Sequence, residues 1–249
     1  MDQCHLGIEA AMLAAQTILE SSGETYRAEE TALRMAQAFG IQKTETLAFP
    51  TGFTIAFYKP DGSIETHILR INERAIRLFS INEVNTISRK AACGELTAEQ
   101  SLKALKDLRS RPAPSTMQQS IIFALSAGFF SMMFGGTLVD LIIAAFAGFI
   151  IRFLIPVYKR MNAPPPLVSL FSGATAALIS LFVLKFVAGN QEAIIAGALM
   201  PLLPGIAMTN AVRDTMRGDL ISGMARGADA LLTAILLAAG VAIVLMMQG

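Results

Sequence analysis

Polar and charged side chains gather between two apolar segments near the C-terminal end of the chain. The stretch from Met200 to Leu232 carries one asparagine, three arginines and three aspartates: Asn210, Arg213, Asp214, Arg217, Asp219, Arg226 and Asp229. An arginine can hold a carboxylate through two parallel hydrogen bonds, and an asparagine can bond an amine or a hydroxyl. An aspartate whose pKa is raised by burial can carry a proton. The stretch is therefore either a solvated surface loop or a polar site at the edge of a membrane.

The spacing of these residues sorts them onto two helical faces. Two triples share the spacing i, i+4, i+7: Asn210, Asp214 and Arg217, and Ser222, Arg226 and Asp229. If each run is helical, each triple lies on one face of its helix. Asp214 can then pair with Arg217. Arg226 can pair with Asp229 in the same way, and pairing matters because a lone charge at the centre of a bilayer costs about 3 kcal/mol or more.

Two prolines interrupt the apolar segment that precedes these charges. Pro201 and Pro204 each remove a backbone donor and disturb a helix, and Gly205 adds conformational freedom. A helix that breaks at membrane depth frees carbonyl and amide groups, which can bind a polar solute or an ion. The alternative is a structural kink that neighbouring helices seal.

Arg226 and Asp229 also have a simpler explanation as anchors at the membrane surface. The apolar run 230–247 is almost long enough to span a bilayer alone, which would leave both charges outside it. A helix that begins earlier would draw both side chains inward. Gly223 and Gly227 would then form a small-residue face that permits close contact with another helix.

Other charges fit solvated positions. Arg213 and Asp219 are explained as loop charges. Asp140 and Arg152 lie near the ends of an apolar segment, where the expectation is that long or polar side chains reach the interface, and Lys185 is similar.

The composition indicates a membrane protein. Of 249 residues, 53% are hydrophobic and 16% are charged, whereas about 25% is usual for soluble domains. Most charges precede Arg111, and long charge-free runs follow it. The net charge of +1 gives no basic footprint for nucleic acid. Cys4 and Cys93 have no metal or redox spacing and are expected to be unpaired thiols.

The sequence before residue 113 predicts a small α+β domain. Helical periodicity covers residues 8–19 and about 25–39. Alternating residues at 53–57 and 64–68 flank the turn sequence Lys59-Pro60-Asp61-Gly62 and predict a β-hairpin.

Capping boxes predict two further helices in this domain. Ser80 with Glu83 would open the first, and Thr97 with Gln100 would open the second. The proline-rich sequence 111–114 is the expected linker, so residues 1–112 form one domain and residues 113–249 the next.

The second domain is predicted to be all-α with five transmembrane helices. The expected spans are about 117–134, 138–157, 167–187, 193–212 and 220–247. Lysines and arginines collect on one side of them and only Lys185 lies on the other, which places the N-terminus inside and the C-terminus outside. The starting sequence MDQCHLGIEA has no secretory signal pattern, so the N-terminal domain is expected in the cytoplasm.

No catalytic pattern is visible. His5 and His67 belong to no metal or triad spacing, and neither a nucleophile elbow nor a Walker sequence occurs. The sequence therefore predicts no enzyme activity, no metal and no cofactor.

Two stretches resemble the threonine/serine exporter family. ILESSGETYRAEETALRMAQAFG, from Ile18 to Gly40, is similar to the family's soluble-domain signature, and PGIAMTNAVRDTMRGDLISGMARGADALL, from Pro204, is similar to its membrane motif. PTGFTIAFY and FSINEVNTISR also fit, so the resemblance covers nearly the whole chain. The length is similar to that of the large subunit in the split bacterial form, which works with a separate small hydrophobic membrane subunit.

The resemblance implies an exporter in the cytoplasmic (inner) membrane. Its substrates would be L-threonine and L-serine, or a dicarboxylate such as succinate, driven by the proton motive force. Whether the chain also forms a homo-oligomer stays open. The rival hypotheses are a non-transporting membrane scaffold or regulator whose soluble domain binds a partner or ligand, and a membrane-anchored enzyme.

The resemblance does not assign ligands, so the roles come from residue chemistry. Arg226 is the first candidate for a substrate carboxylate and Arg217 the second. Asn210 and the backbone at Gly205 would complete the substrate site. Asp214 or Asp229 would carry the coupling proton.

The soluble motif has two explanations. ETYRAEET can be an ordinary helix start with a solvated face, because acidic residues there favour the helix dipole. It can also be a gate or docking surface in which Tyr26, Arg27 and Glu30 take part.

Overall fold

The computed structural model describes residues 3–41, 43–59 and 62–247, which fold into two compact units. The first unit combines Met1–Pro112 with Ile206–Gly227. The second combines Ala113–Gly205 with Ala228–Gly249. The membrane motif therefore contributes its central part to the same unit as the N-terminal domain.

The first unit is α+β. Its elements before residue 113 are α1 (Gln3–Glu20), α2 (Thr25–Ala38), β1 (Lys43–Phe49), β2 (Gly52–Tyr58), β3 (Ile64–Arg70), α3 (Leu78–Ala92) and α4 (Ala98–Ser110). The strands form an antiparallel sheet in the order β1-β2-β3. Phe53, Ile55 and Phe57 point to one face of β2 and are buried with Ile18 and Met35 in one core. Period-two burial on β2 and helical burial on α1 and α2 thus build a single hydrophobic cluster.

Several local expectations for this unit are confirmed. The two predicted helices are α1 and α2, and β2 and β3 form the predicted hairpin. Within its turn, the amide of Gly62 donates to the carbonyl of Lys59 at 3.0 Å, while Pro60 and Asp61 lie outside the described residues. The capping box of Thr97 with Gln100 is also present.

The capping box expected at Ser80 and Glu83 is wrong. Helix α3 begins at Leu78, with Arg77 as its N-terminal flanking residue and no side-chain cap. Ser80 lies in the first turn, beyond the position from which it could cap the helix. Apolar residues before Ser80 extend the helix backward past the polar pair that suggested its start.

The second unit is helical. It holds α5 (Thr116–Met133), α6 (Leu138–Arg160), α7 (Pro165–Leu184), α8 (Gln191–Leu199), a short 3₁₀ turn (Met200–Leu202) and the later part of α10 (Leu220–Met246). Helices α7 and α10 approach each other backbone to backbone. A Cβ atom added to Gly173 would lie 2.1 Å from the carbonyl oxygen of Leu237, and one on Gly240 would lie 2.0 Å from that of Leu170. Small residues at such crossings are typical of helices packed within membranes.

Three helices of the described chain are long and apolar enough to cross a membrane: α6, α7 and α10. A fourth crossing results if α8 and α9 (Gly205–Met216), which flank the break at Leu203 and Pro204, count as one broken span. The outer face of α6 is apolar, with Leu138, Ile142 and Phe146 exposed at helical spacing. The chain is therefore mostly helical with several apolar helices suited to a bilayer. Five spans and their orientation stay predictions.

Asp140 does not reach out to an interface, as its position near a helix end had suggested. It is fully buried and caps α6, accepting hydrogen bonds from the Thr137 amide at 2.7 Å and the Thr137 hydroxyl at 2.9 Å. Its other oxygen accepts from the amide of Asn190 at 2.8 Å. The carboxylate therefore ties the start of α6 to the segment before α8.

Candidate functional site

In the turn between α1 and α2, the backbone carbonyls of Ser22 and Gly23 accept hydrogen bonds from side chains elsewhere in the first unit. Ser22 has a φ of +61°, which is uncommon for a residue with a side chain. Gly23 follows, and a Cβ there would lie 2.6 Å from Cγ2 of Ile18 and 3.0 Å from the Ile18 carbonyl oxygen. A side chain at position 23 would therefore collide with Ile18, so the close approach of the turn to α1 needs glycine there.

Helix α9 and the start of α10 form a tight pair joined at Gly218, whose φ is +91°. A Cβ on Gly223 would lie 2.1 Å from Oγ1 of Thr215 and 2.9 Å from the carbonyl oxygen of Ala211. The absence of a side chain at Gly223 thus lets the two helices touch. Their contact brings residues of the two sequence triples together.

A buried ion pair lies between these helices. Nε of Arg226 is 3.0 Å from Oδ2 of Asp214, and the side chains are 4% and 0% exposed. Nη2 of Arg226 also donates to the carbonyl of Gly23 at 2.7 Å. Neither carboxylate oxygen of Asp214 accepts a hydrogen bond of normal geometry from the residues that the structure describes. The two side chains are held together by their opposite charges. Replacing either one would leave the other as a buried ion without a partner.

The expected pair of Asp214 with Arg217 is replaced. Asp214 meets Arg226 of the other triple, and the guanidinium carbon of Arg217 lies 3.6 Å from the ring centroid of Tyr26. That distance is within the range of a cation–π contact. Tyr26 and Arg217, named separately from the sequence as gate and ligand, therefore lie against each other.

A second ionic contact is centred on Glu24. This carboxylate is 9% exposed and pairs with Nε of Arg27 at 3.1 Å and with Nη1 of Arg213. Beside it, Nδ2 of Asn210 donates to the carbonyl of Ser22 at 3.0 Å. Arg213 is therefore no loop charge. It pairs with the soluble motif, and sequence reasoning missed its partner Glu24.

Asp219 and Ser222 extend the same contact. Oδ2 of Asp219 accepts a hydrogen bond from the Thr25 hydroxyl at 3.3 Å. The hydroxyl of Ser222 donates to the carbonyl of Ala48 at 3.4 Å. Asp219 lies in the turn between α9 and α10, as the loop-charge explanation expected, but it also binds the first turn of α2 and is only partly exposed.

Glu29 is a further acidic group of this site that its sequence context did not single out. It is half-buried, and its Oε1 accepts a hydrogen bond from the amide of Ala48 at 2.7 Å. Burial raises the pKa of Glu29, and the negative charges of Asp219 and Asp214 raise it further, while the Ala48 hydrogen bond opposes them. The neighbouring Glu30, by contrast, is exposed and pairs with Arg34 at 2.6 Å.

The first unit therefore unites most of the residues selected from the sequence: Tyr26, Arg27, Asn210, Asp214, Arg217 and Arg226. The break before α9, with Pro201, Pro204 and Gly205, belongs to the second unit. The exposed Asp229, on the later part of α10, also belongs to the second unit. Among the described residues, no cluster of three metal-binding side chains occurs.

The comparison with protein families matches the threonine/serine exporter family (ThrE) over residues 9–248. The chain belongs to this family. The two motifs that meet in the first unit therefore both fall within the exporter match.

Two curated relatives are similar to this exporter-family chain. A probable threonine/serine exporter of Mycobacterium tuberculosis is 24% identical over 230 residues, which cover 90% of the chain. A probable succinate transporter subunit, YjjP, of Klebsiella aerogenes is 23% identical over 240 residues, which cover 93% of the chain. The chain spans 43% of the mycobacterial relative and 90% of the Klebsiella relative. No solved structure matches it.

Proposed function

We propose that this chain is the large subunit of a two-subunit secondary exporter in the cytoplasmic membrane. Its substrates are threonine and serine or a dicarboxylate such as succinate. The two relatives support this assignment, because one is named a threonine/serine exporter and the other a succinate transporter subunit. The subunit relative is matched over 90% of its length, whereas the exporter relative is more than twice as long as the matched part. In this proposal, a separate small membrane subunit acts with the chain in place of the part of the exporter relative that the chain does not match.

The contact of Arg226 with both Asp214 and the Gly23 carbonyl carries the mechanistic proposal. A buried guanidinium is the group best suited to hold a solute carboxylate, but here Asp214 occupies it. Protonation of Asp214 would neutralise that carboxylate and leave Arg226 to bind the solute. Loss of the proton would restore the ion pair and expel the solute carboxylate. One proton would thereby be exchanged for one bound solute.

The surrounding groups complete this proposed cycle. Arg217 against Tyr26 forms a gate that opens when the stacked pair separates, and Arg27 with Glu24 anchors the gate to α2. Asn210 is an additional hydrogen-bond donor for the solute. The break at Pro201, Pro204 and Gly205 supplies backbone groups that bind the solute. Asp229 serves as a second proton carrier. Glu30 serves as a docking residue.

Transport by everted membrane vesicles tests the proposal. Vesicles from cells that express the chain with its small partner should accumulate labelled threonine, serine or succinate when a proton gradient is applied. Arg226→Gln should reduce that uptake at least tenfold per molecule of exporter in the membrane. Uptake is normalised to the amount of folded protein, because the variant leaves Asp214 buried without its partner. Arg89→Gln, a matched change at an exposed position of α3, should transport normally.

Two results would contradict the proposal at different points. Normal transport by the Arg226→Gln variant would remove the ion pair from the mechanism. If wild-type vesicles move none of the three solutes, the exporter assignment itself fails for these substrates, and a scaffold or regulatory role becomes the better hypothesis.

A further inference from the structure

Strand β3 is an edge of the sheet whose outer side pairs with no other strand among the residues that the structure describes. The three strands lie in the order β1-β2-β3, so β3 bonds β2 on one side only. The edge at β1 differs, because the Ala48 amide donates to Glu29 and the Ala48 carbonyl accepts from Ser222. An unpaired edge offers a row of amide and carbonyl groups to another strand. The outer side of β3 is therefore a surface suited to strand pairing.

The register of the sheet shows which backbone groups of β3 face outward. The amide of Lys59 donates to the Ser63 carbonyl at 2.9 Å, and the amide of Ile71 donates to the Thr51 carbonyl at 3.1 Å. Residues that bond a given neighbouring strand alternate along an antiparallel pair, so the odd-numbered residues of β3 bond β2. The even-numbered residues point their amides and carbonyls away from the sheet: Ile64, Thr66, Ile68 and Arg70.

The outer face of the sheet is apolar along this edge. Ile64 and Ile68 of β3 are 59% and 79% exposed, and Leu47 of β1 lies on the same face at 54%. The strand is seven residues long and contains neither the lysine nor the proline with which proteins commonly protect an exposed edge. A strand with these properties readily accepts a second strand, and the partner strand should carry apolar residues opposite Ile64 and Ile68.

We propose that β3 pairs with β3 of a second copy of this chain, about a two-fold axis at Thr66. The axis makes the two strands antiparallel and places Thr66 opposite Thr66 of the second copy. Ile64 then lies opposite Ile68 of the second copy, and Glu65 lies opposite its His67. All the pairs between even-numbered residues use the outward amides and carbonyls, so the ladder is complete. Two three-stranded sheets thereby become one sheet of six strands.

The side chains favour this register over its neighbours. On the face that packs against the core, Glu65 contacts His67 at 2.7 Å within the chain and also pairs with Lys59. In the proposed register each Glu65 carboxylate also meets the His67 ring of the second copy, while isoleucines meet isoleucines on the outer face. A shift by two residues would place Glu65 opposite Glu65 in one direction and His67 opposite His67 in the other. Like groups would then face each other, which is unfavourable.

Disulfide trapping in native membranes tests the pairing in the full chain. Residues in a hydrogen-bonded antiparallel pair have Cα atoms about 5.5 Å apart, which is within disulfide range. In a background with Cys4→Ala and Cys93→Ser, Thr66→Cys should therefore form a dimer of twice the mass of the chain under mild oxidation. Ile68→Cys is the matched control, because the two copies of position 68 would lie about 14 Å apart along the strands. Its dimer yield should be at least fivefold lower, although position 68 is 79% exposed.

A second replacement separates strand pairing from chance collision. Ile68→Lys, added to Thr66→Cys, puts a lysine at an exposed edge position, where it protects the edge and leaves the core intact. Trapping at position 66 should fall at least fivefold. Leu47→Lys, a matched change at an exposed position of β1, should leave trapping at position 66 unchanged.

Three results would overturn the proposal: no dimer from Thr66→Cys, equal dimer yields at positions 66 and 68, or undiminished trapping when Ile68→Lys is added. A cross-linked product whose mass is not twice that of the chain would show that another protein occupies the edge, and it would also reject the pairing of two copies. These outcomes do not depend on which solute is transported, so the exporter assignment is tested separately.

Discussion

Asp214 and Arg226 lie on two different helices, yet the Nε atom of Arg226 is 3.0 Å from Oδ2 of Asp214 and both side chains are buried. The same guanidinium reaches the Gly23 carbonyl at 2.7 Å. One arginine thereby connects α9, α10 and the turn after α1. The connection makes this pair the first place to test how the unit is stabilised.

Removing the acidic partner should be strongly destabilising. Asp214→Asn leaves the Arg226 guanidinium buried without a counter-charge, and breaking a buried pair in this way costs about 3 to 5 kcal/mol. We expect a matching loss in the free energy of unfolding of the purified chain in detergent. Glu30→Gln, which breaks the exposed pair with Arg34, should cost less than about 1 kcal/mol.

A double replacement provides the converse test of the same pair. Asp214→Leu combined with Arg226→Met removes both charges together, so stability should return to near that of the wild type. If the double variant is as unstable as Asp214→Asn, the unpaired charge of Arg226 is not the cause of the instability, and altered helix packing around position 214 must be.

The contact of α9 with α10 should depend on Gly223 and tolerate a change at Gly227. A Cβ on Gly223 overlaps Oγ1 of Thr215 and the backbone of Ala211, so Gly223→Ala should destabilise the chain by about 1 to 3 kcal/mol. At Gly227 the nearest atom, Cβ of Ala211, is 3.8 Å away, an ordinary contact. Because both glycines are helical, alanine's better helix propensity applies equally, and Gly227→Ala should be neutral or stabilising by up to about 1 kcal/mol. Equal thermal midpoints for the two variants would contradict the close approach.

Glu29 should make stability depend on pH. Because burial raises its pKa in the folded state above the unfolded value, the folded chain binds the proton more tightly. Its contribution is therefore fully present below the unfolded pKa and is lost as pH rises through the folded pKa. Glu29→Gln keeps an oxygen for the Ala48 amide but does not titrate, so its free energy of unfolding should vary less over that range.

The measurement is a series of denaturant titrations between about pH 4 and pH 8. The exposed Glu30→Gln variant should keep the wild-type pH dependence and serves as the control. A Glu29→Gln variant with the wild-type slope at every pH would show that Glu29 has an ordinary environment.

Local sequence signals predicted much of the first unit. Period-two alternation on β2 and helical spacing on α1 correspond to buried faces, and the Thr97 box caps its helix as expected. Such signals succeed because they depend on neighbours within a few residues. The Ser80 box fails since Leu78 and Phe79 prolong α3 backward, and a short polar pattern cannot outweigh that extension.

The partners within the candidate site could not be predicted in the same way. Spacing correctly put Asn210 and Asp214 on one face, but it assigned Asp214 to Arg217 because sequence shows only neighbours on the same helix. The contact at Gly223 brings Arg226 to Asp214 instead. Glu24 and Arg213 are distant in the chain, so their pairing depends on the tertiary fold alone.

The turn at Ser22 and Gly23, in which Ser22 has a left-handed backbone, has a consequence for mutational scanning. It offers main-chain oxygens to Asn210 and Arg226, and a change from Ser22 to alanine keeps both acceptors. An alanine scan of the turn would therefore score Ser22 as unimportant, although its carbonyl accepts a hydrogen bond from Asn210. A scan would detect these hydrogen bonds only through replacement of the donors, Asn210 and Arg226, or through the steric conflict that a side chain at Gly23 creates.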